Sequence, residues 1–382
     1  MIQTTSYSKT NIIYGALDVD DKSFNFAHYD LLTNDQIHFK CLTNSSKLIQ
    51  KLEQYFNDLS KLKICYESTY LGFSLCRDLN SKGINCEVIA SGKIPKQAQD
   101  RIKTDRLDAL KLAEYYAKGL LTPIHVPDIE DENIREIIRS RSLLVKQLKQ
   151  LKTHIISLCK RNGMDFKKEK KAQNICYWGQ VHNKWLESKI NTLSEISPLK
   201  FNLLSLNSIL ESLQIQIERY NDKIKQVSQT EKYAKPCRAL ECFRGLDTLT
   251  AMTLVSEIGD IKRFPHPRNL MSYTGFSIAE YSSGGKEKRF KITKIGNPFI
   301  RTVTVEACQF AFKTPHISRH LAKRRLLVDD PTLINIADKC MMRLHKKSNR
   351  LLFHGKHRNK IKVACAREML GFIWDVMCKT CA

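Results

Sequence analysis

The sequence predicts an α/β domain at the N-terminus followed by a helical remainder, and three observations carry that reading. Short β-branched and aromatic runs alternate with helical stretches up to residue 90. Apolar residues then recur at spacings of three and four through residues 137–227. From about residue 235 a glycine-bearing turn and basic helices return the chain to a compact pattern.

In order, residues 11–19, 23–29 and 36–42 read as three strands separated by polar turns, an antiparallel meander. Residues 46–59 read as a helix, 63–67 as a buried strand, 71–83 as a helix ending in glycine, and 85–90 as another strand. A helix beginning near Asp105 completes the set. Three strands and then αβαβα is the element order of an RNase H-like domain, here residues 1–127.

Residues 128–235 are helical. Leu199, Leu203, Leu206, Leu210, Leu213, Ile217, Tyr220, Ile224 and Val227 form a coiled-coil seam. Ile137, Leu144, Leu148, Leu151, Ile155 and Leu158 keep the same rhythm on an earlier helix, broken by Arg141. The seam favours pairing between chains over a hairpin within one. Residues 236–382 hold a turn and amphipathic helix at 244–264, similar to helix-hairpin-helix elements that hold a DNA phosphate. A loop at 277–301 follows, and the apolar face of residues 366–377 should close the core.

With 382 residues and 42% hydrophobic content the chain supports two or three domains with real cores. No apolar run is long enough to span a membrane, and "MIQTTSYSKTN" lacks the apolar centre of a signal peptide, so the expected location is a bacterial-type cytoplasm. Thirteen scattered cysteines suit reduced thiols packed as small hydrophobes, and the lone Cys378/Cys381 pair lacks the second ligand pair of a zinc site. A net charge of +24 points to nucleic acid. Residues 284–363 carry twenty Lys or Arg against five Asp or Glu, which makes them the expected polyanion face.

Asp105 and Asp108, three apart, share a helix face with Cβ atoms about 5–6 Å apart. Alone, the pair could pair with Lys103 and Arg106 or answer the helix dipole. Two further acids change the balance. Asp18 falls near the end of the first strand and Glu67 ends a middle strand, both at a sheet edge where a ligand can reach. Four such carboxylates are what an RNase H-like fold uses to hold two divalent ions, and hard oxygen ligands suit Mg²⁺ or Mn²⁺. Asp20 and Asp21 sit at the following turn, and Asp100 reads as a cap or loop residue.

The stretches "ALDVDDK", "CYESTYLG", "KTDRLDALKLA", "GLDTLTAMTLVSEIGDIKRF" and "SSGGKEKRFKITKIGNPFIR" together resemble the DEDD transposases of the insertion sequence 110 family, relatives of Piv-type DNA invertases. The resemblance runs over nearly the whole chain. It implies a catalytic domain similar to Holliday junction resolvases, a coiled coil that assembles dimers or tetramers, and a C-terminal transposase domain. It also implies donor and target DNA selected by a structured guide RNA. Carried over, the DEDD tetrad falls on Asp18, Glu67, Asp105 and Asp108. The family's nucleophilic serine falls in "YSSGG", on Ser283 beside the glycine, with Ser282 its alternative on chemistry alone. Lys286, Lys288, Arg289, Lys291, Lys294 and Arg301 are the expected nucleic-acid contacts. Two departures stand out: a frequent second glycine is missing from "RGLDTLTA", and an extra acid, Asp20, follows the first aspartate. The rival readings are an invertase using the same residues, a junction-resolving nuclease that needs no serine, and a binding protein whose acids are only caps and ion pairs.

Overall fold

Three strands open the N-terminal unit: the first two alternate side chains toward two covered faces, and the third, at the sheet edge, leaves Lys40 and Leu42 exposed on one of its faces. The three are β1 (Ile13–Val19), β2 (Ser23–Tyr29) and β3 (Gln36–Leu42), paired as the expected antiparallel meander. The computed structural model describes residues 12–95, 104–169, 174–283 and 286–381. α1 (Ser45–Tyr55) starts where the Asn44 side chain accepts from the Lys47 amide at 3.1 Å. β4 (Leu62–Glu67), α2 (Ser74–Ser81), β5 (Asn85–Ile89) and α3 (Asp105–Ala117) follow.

The sheet order is β3-β2-β1-β4-β5, with β4 parallel to both β1 and β5. One face buries Leu17, Phe26, Phe39, Ile64 and Val88 together with Leu48, Leu52 and Leu79 of α1 and α2. The other face carries Ala16, Ala27 and Cys65, small enough for α3 to lie close through Ala109, Leu112 and Ala113. Tyr14 at the start of β1 meets Tyr116 at the end of α3 edge-on, ring centroids 5.4 Å apart. α3 therefore runs antiparallel to β1.

Contacts divide the chain into two compact units, Met1–Pro127 and Asp128–Ala382. The second begins with α4 (Ile129–Arg161), α5 (Phe166–Glu169), α6 (Gln180–Asn191) and α7 (Pro198–Val227). Ile134 and Ile138 share a core with Ile224, while Ile155 and Cys159 share another with Leu203 and Leu210. α4 and α7 are thus antiparallel partners within one chain, the hairpin that the seam left as its second reading. Arg141, the polar break in the seam, donates from Nε to Asn221 Oδ1 at 2.5 Å, so the interruption is met across the helix pair.

Next come α8 (Glu231–Glu241), α9 (Thr248–Ile258) and α10 (Pro267–Tyr273). Residues expected as a loop instead form an antiparallel hairpin of β6 (Ile278–Ser283) and β7 (Lys286–Ile292). The run "KEKRFKI" is mostly charged, which hid its strand character behind the signal of a solvated loop. α11 (Pro298–Ala307), α12 (Arg319–Arg325), α13 (Pro331–Phe353) and α14 (Arg358–Thr380) complete the unit. α14 closes the core through Ala366, Met369, Leu370, Ile373 and Met377, as expected. The cysteines are free and most are buried. Among the described residues no helix is long and apolar enough to cross a membrane.

Candidate active site

The parallel pairing of β1 and β4 aligns Leu17 with Tyr66, so Asp18 and Glu67 follow side by side at the carboxyl ends of the two strands. Period two puts both on the face of Ala16 and Cys65, the face that α3 covers. α3 begins at Asp105, where Thr104 Oγ1 accepts from the Leu107 amide at 3.3 Å. From Tyr116 back to Asp108 the helix covers about 12 Å. From Tyr14 forward to Asp18 the strand covers about 13 Å. Asp108 therefore comes level with Asp18, and Asp105 lies about one turn farther along.

All four carboxylates occupy one face and one end of the sheet. Glu67 and Asp105 are exposed; Asp18 and Asp108 are half-buried. Among the described residues no three acids, histidines or cysteines stand close enough together to hold a metal ion. The donor chemistry fits a hard divalent cation, but the donors are not drawn into one coordination shell.

One neighbour of these acids belongs to no sequence motif. Asn25 is the cross-strand partner of Asp18. It is 4% exposed, and its Nδ2 has no hydrogen-bond partner. The available signal was a polar residue between two phenylalanines in a strand buried on both faces. Asp20 is fixed in the β1–β2 turn, its amide on Ser23 O at 3.2 Å and its carbonyl accepting from Thr43 Oγ1 at 2.9 Å. Lys103 and Asp100 lie outside the described residues.

Ser283 ends β6 in register with Lys286, and Ser282 pairs with Glu287, so the serines stand at the tip of the hairpin. Lys288 and Arg289 pair with Tyr281 and Glu280 on β6. Lys291 and Lys294 are exposed, whereas half-buried Arg301 donates from Nη1 to Thr274 O at 2.8 Å. The hairpin's foot is closely tied. Thr293 N bonds Ser277 O at 2.8 Å, Lys294 N bonds Gly275 O at 3.1 Å, and Asn297 N bonds Tyr273 O at 3.0 Å. Gly296 has φ 131°, and a Cβ there would stand 2.1 Å from Tyr273 O.

The turn between α8 and α9 has its own constraint. Asp247 caps α9, its Oδ1 accepting from the Thr250 amide at 2.8 Å. One of the amides that a phosphate would use at this helix end is therefore already met from within the chain.

A five-stranded mixed sheet with a late helix across one face and acids at the carboxyl ends of its central strands defines an RNase H-like domain. Comparison with known proteins agrees. Residues 16–161 match the IS110-type DEDD transposases, and residues 237–322 match the transposase IS116/IS110/IS902 family. The chain is 30% identical to the y4qE protein of Sinorhizobium fredii, which carries a transposase name, over 82% of this chain and 74% of that one. It is 28% identical to the transposase for insertion sequence element IS1533 of Leptospira borgpetersenii, over 89% and 96%. The transposase for IS1111A of Coxiella burnetii is 23% identical over 72% and 73%. The chain belongs to the IS110 family of DEDD transposases, enzymes that recombine DNA.

Proposed function

We propose that this transposase moves an insertion sequence under the guidance of a structured non-coding RNA that pairs with donor and target DNA. Residues 1–127 would form the catalytic domain, 128–235 the assembly region of a dimer or tetramer, and 236–382 the domain that presents the serine. The observation that carries the reading is the placement of Asp18, Glu67, Asp105 and Asp108 at one end of one sheet face.

In this reading the four carboxylates would hold two Mg²⁺ or Mn²⁺ ions, which when bound supply charge to offset that developing on a phosphodiester. The chain's own chemistry is carried by Ser283. Its Oγ attacks phosphorus, the bond from phosphorus to the leaving strand oxygen breaks, and the serine proton ends on that oxygen. A strand hydroxyl attacking the phosphoserine reverses the exchange, so rejoining needs no ATP. Ser283 belongs to the second unit and the carboxylates to the first, and the reaction requires them to meet, from one chain or from two. Lys286, Lys288, Arg289, Lys291 and Lys294 are the proposed cationic surroundings of the strand.

The test is incubation of purified protein with element-end DNA, the adjacent non-coding RNA and Mg²⁺. A denaturant-stable protein–DNA adduct on Ser283 that requires both the RNA and Asp105 supports the reading. Cleavage without an adduct removes the serine's role and leaves a two-metal nuclease. An adduct that forms without RNA removes the guide.

A further inference from the structure

The turn between α8 and α9 opens onto a cavity of about 540 Å³. Arg244, Lys313, His316, His320 and Arg324 line it, and Asp247 is the single acid in its wall. That carboxylate is already engaged by the Thr250 amide. Three permanent cations therefore face one another across a cavity with one carboxylate to answer them, an arrangement that favours an anion between them.

The cations are held in place. Arg244 donates from Nη1 to Thr314 O at 2.8 Å, and its guanidinium stands 5.5 Å from the centroid of Phe310. Lys313 Nζ stands 5.7 Å from the same ring. Arg324 donates from Nη1 to Leu246 O, while its buried Nε has no hydrogen-bond partner. Gly245, at φ 93°, lets the turn press against α11, since a Cβ there would stand 2.6 Å from Ala307 O. Cations fixed before the ligand arrives lose little freedom on binding it.

Two features select the anion. Arginine presents a planar fork that matches phosphate oxygens. Phe310 is 40% exposed beside these cations, and an aromatic ring among cations is how proteins hold a nucleic-acid strand. We propose that this cleft seats a backbone phosphate of the nucleic acid the enzyme handles, gripped by side chains and not by the amides of α9. The proposal rests on the family membership, which makes DNA the substrate, and not on Ser283 or the four carboxylates.

Binding of the full chain to labelled single-stranded DNA, the same sequence as a duplex, and the same sequence as RNA tests it without any chemistry. Arg244→Ala/Lys313→Ala should weaken binding to at least one of these by about tenfold at moderate salt and flatten the slope of log affinity against log salt by about one. Lys149→Ala/Lys160→Ala, which removes two exposed lysines from α4, is the charge-matched control and should do much less. A loss confined to DNA assigns the seat to the substrate, and a loss confined to RNA assigns it to a guide strand. Equal behaviour of the cleft and control variants on all three probes overturns the proposal. So does a loss of binding to poly-glutamate with nucleic acid unaffected. If Arg244→Ala lowers the melting temperature to the assay range, Lys313→Glu replaces it, because the exposed Lys313 side chain is not part of the core, and the same two readings apply.

Discussion

Arg139 of α4 forks onto Glu257 of α9, Nε to Oε1 at 2.9 Å and Nη2 to Oε2 at 3.1 Å. The Glu257 side chain is wholly buried, and its Oε2 also accepts from Asn297 Nδ2 at 2.7 Å. Asn297 in turn caps α11, its Oδ1 accepting from the Phe299 and Ile300 amides. One buried carboxylate thus joins the long helix pair, the helix after the glycine turn, and the segment that returns from the serine hairpin.

Removing the carboxylate leaves the Asn297 amide without its acceptor and takes from Arg139 the buried one of its two acid partners. Glu257→Ala should therefore cost about 1–3 kcal/mol of stability, because the Asn297 amide loses its acceptor while Arg139, partly exposed, keeps Glu136 Oε1 at 3.3 Å. Chemical denaturation gives the number. A cost below about 1 kcal/mol would mean that water replaces the carboxylate and that the network does not hold the unit together.

Asn25 makes the opposite prediction. Its buried Nδ2 costs stability while it has no partner, and a branched apolar residue of similar shape removes that cost. Asn25→Leu should leave the melting temperature unchanged or raise it, while weakening Mn²⁺ binding by the protein. A lower melting temperature with unchanged Mn²⁺ affinity would make Asn25 a structural residue only.

Two buried histidines contribute to the pH dependence of stability. Burial lowers the pKa of His28, whose Nδ1 sits 2.8 Å from Tyr14 O, and of His182, packed among Phe166, Tyr177 and Trp185. A lowered histidine pKa means that the unfolded chain binds protons that the folded chain refuses. Stability is fully present above the ordinary histidine pKa of about 6.5 and is lost as pH falls below it toward the folded-state value. Melting temperature should fall on going from neutral to mildly acid solution. His182→Phe, which keeps an aromatic ring in the cluster, should shrink that fall.

Much of this was legible beforehand. Alternation marks the three opening strands, and Asp18 and Glu67 stand out because each comes at or next to the end of a strand with apolar residues before it. The sheet order was not legible, since it depends on which edge each crossover returns to, and with it went the knowledge that Asp18 and Glu67 are neighbours. The helical seam recorded which faces are apolar and not which copy covers them; α4 covers it here. The hairpin reads as a loop in the sequence because "KEKRFKI" spends its strand residues on charge. Asn25 does not stand out in the sequence, because a single polar residue in a strand is ordinary until its partner across the ladder is known.

The hairpin's foot separates the proposed nucleophile, Ser283, from its mount. At Gly296 an added Cβ must displace the Tyr273 carbonyl, which accepts from the Asn297 amide, and the residue must also hold φ 131°. Strain of this kind costs about 1–3 kcal/mol, enough to loosen the hairpin without unfolding the core that α14 closes. Gly296→Ala should keep nucleic-acid binding, since the cations remain, and lose adduct formation steeply. Ser283→Ala should lose the adduct with the foot intact and the melting temperature unchanged. If Gly296→Ala formed the adduct at the normal rate, the serine would not depend on the ties between Tyr273, Gly275 and Asn297, and its placement would have to come from the bound nucleic acid.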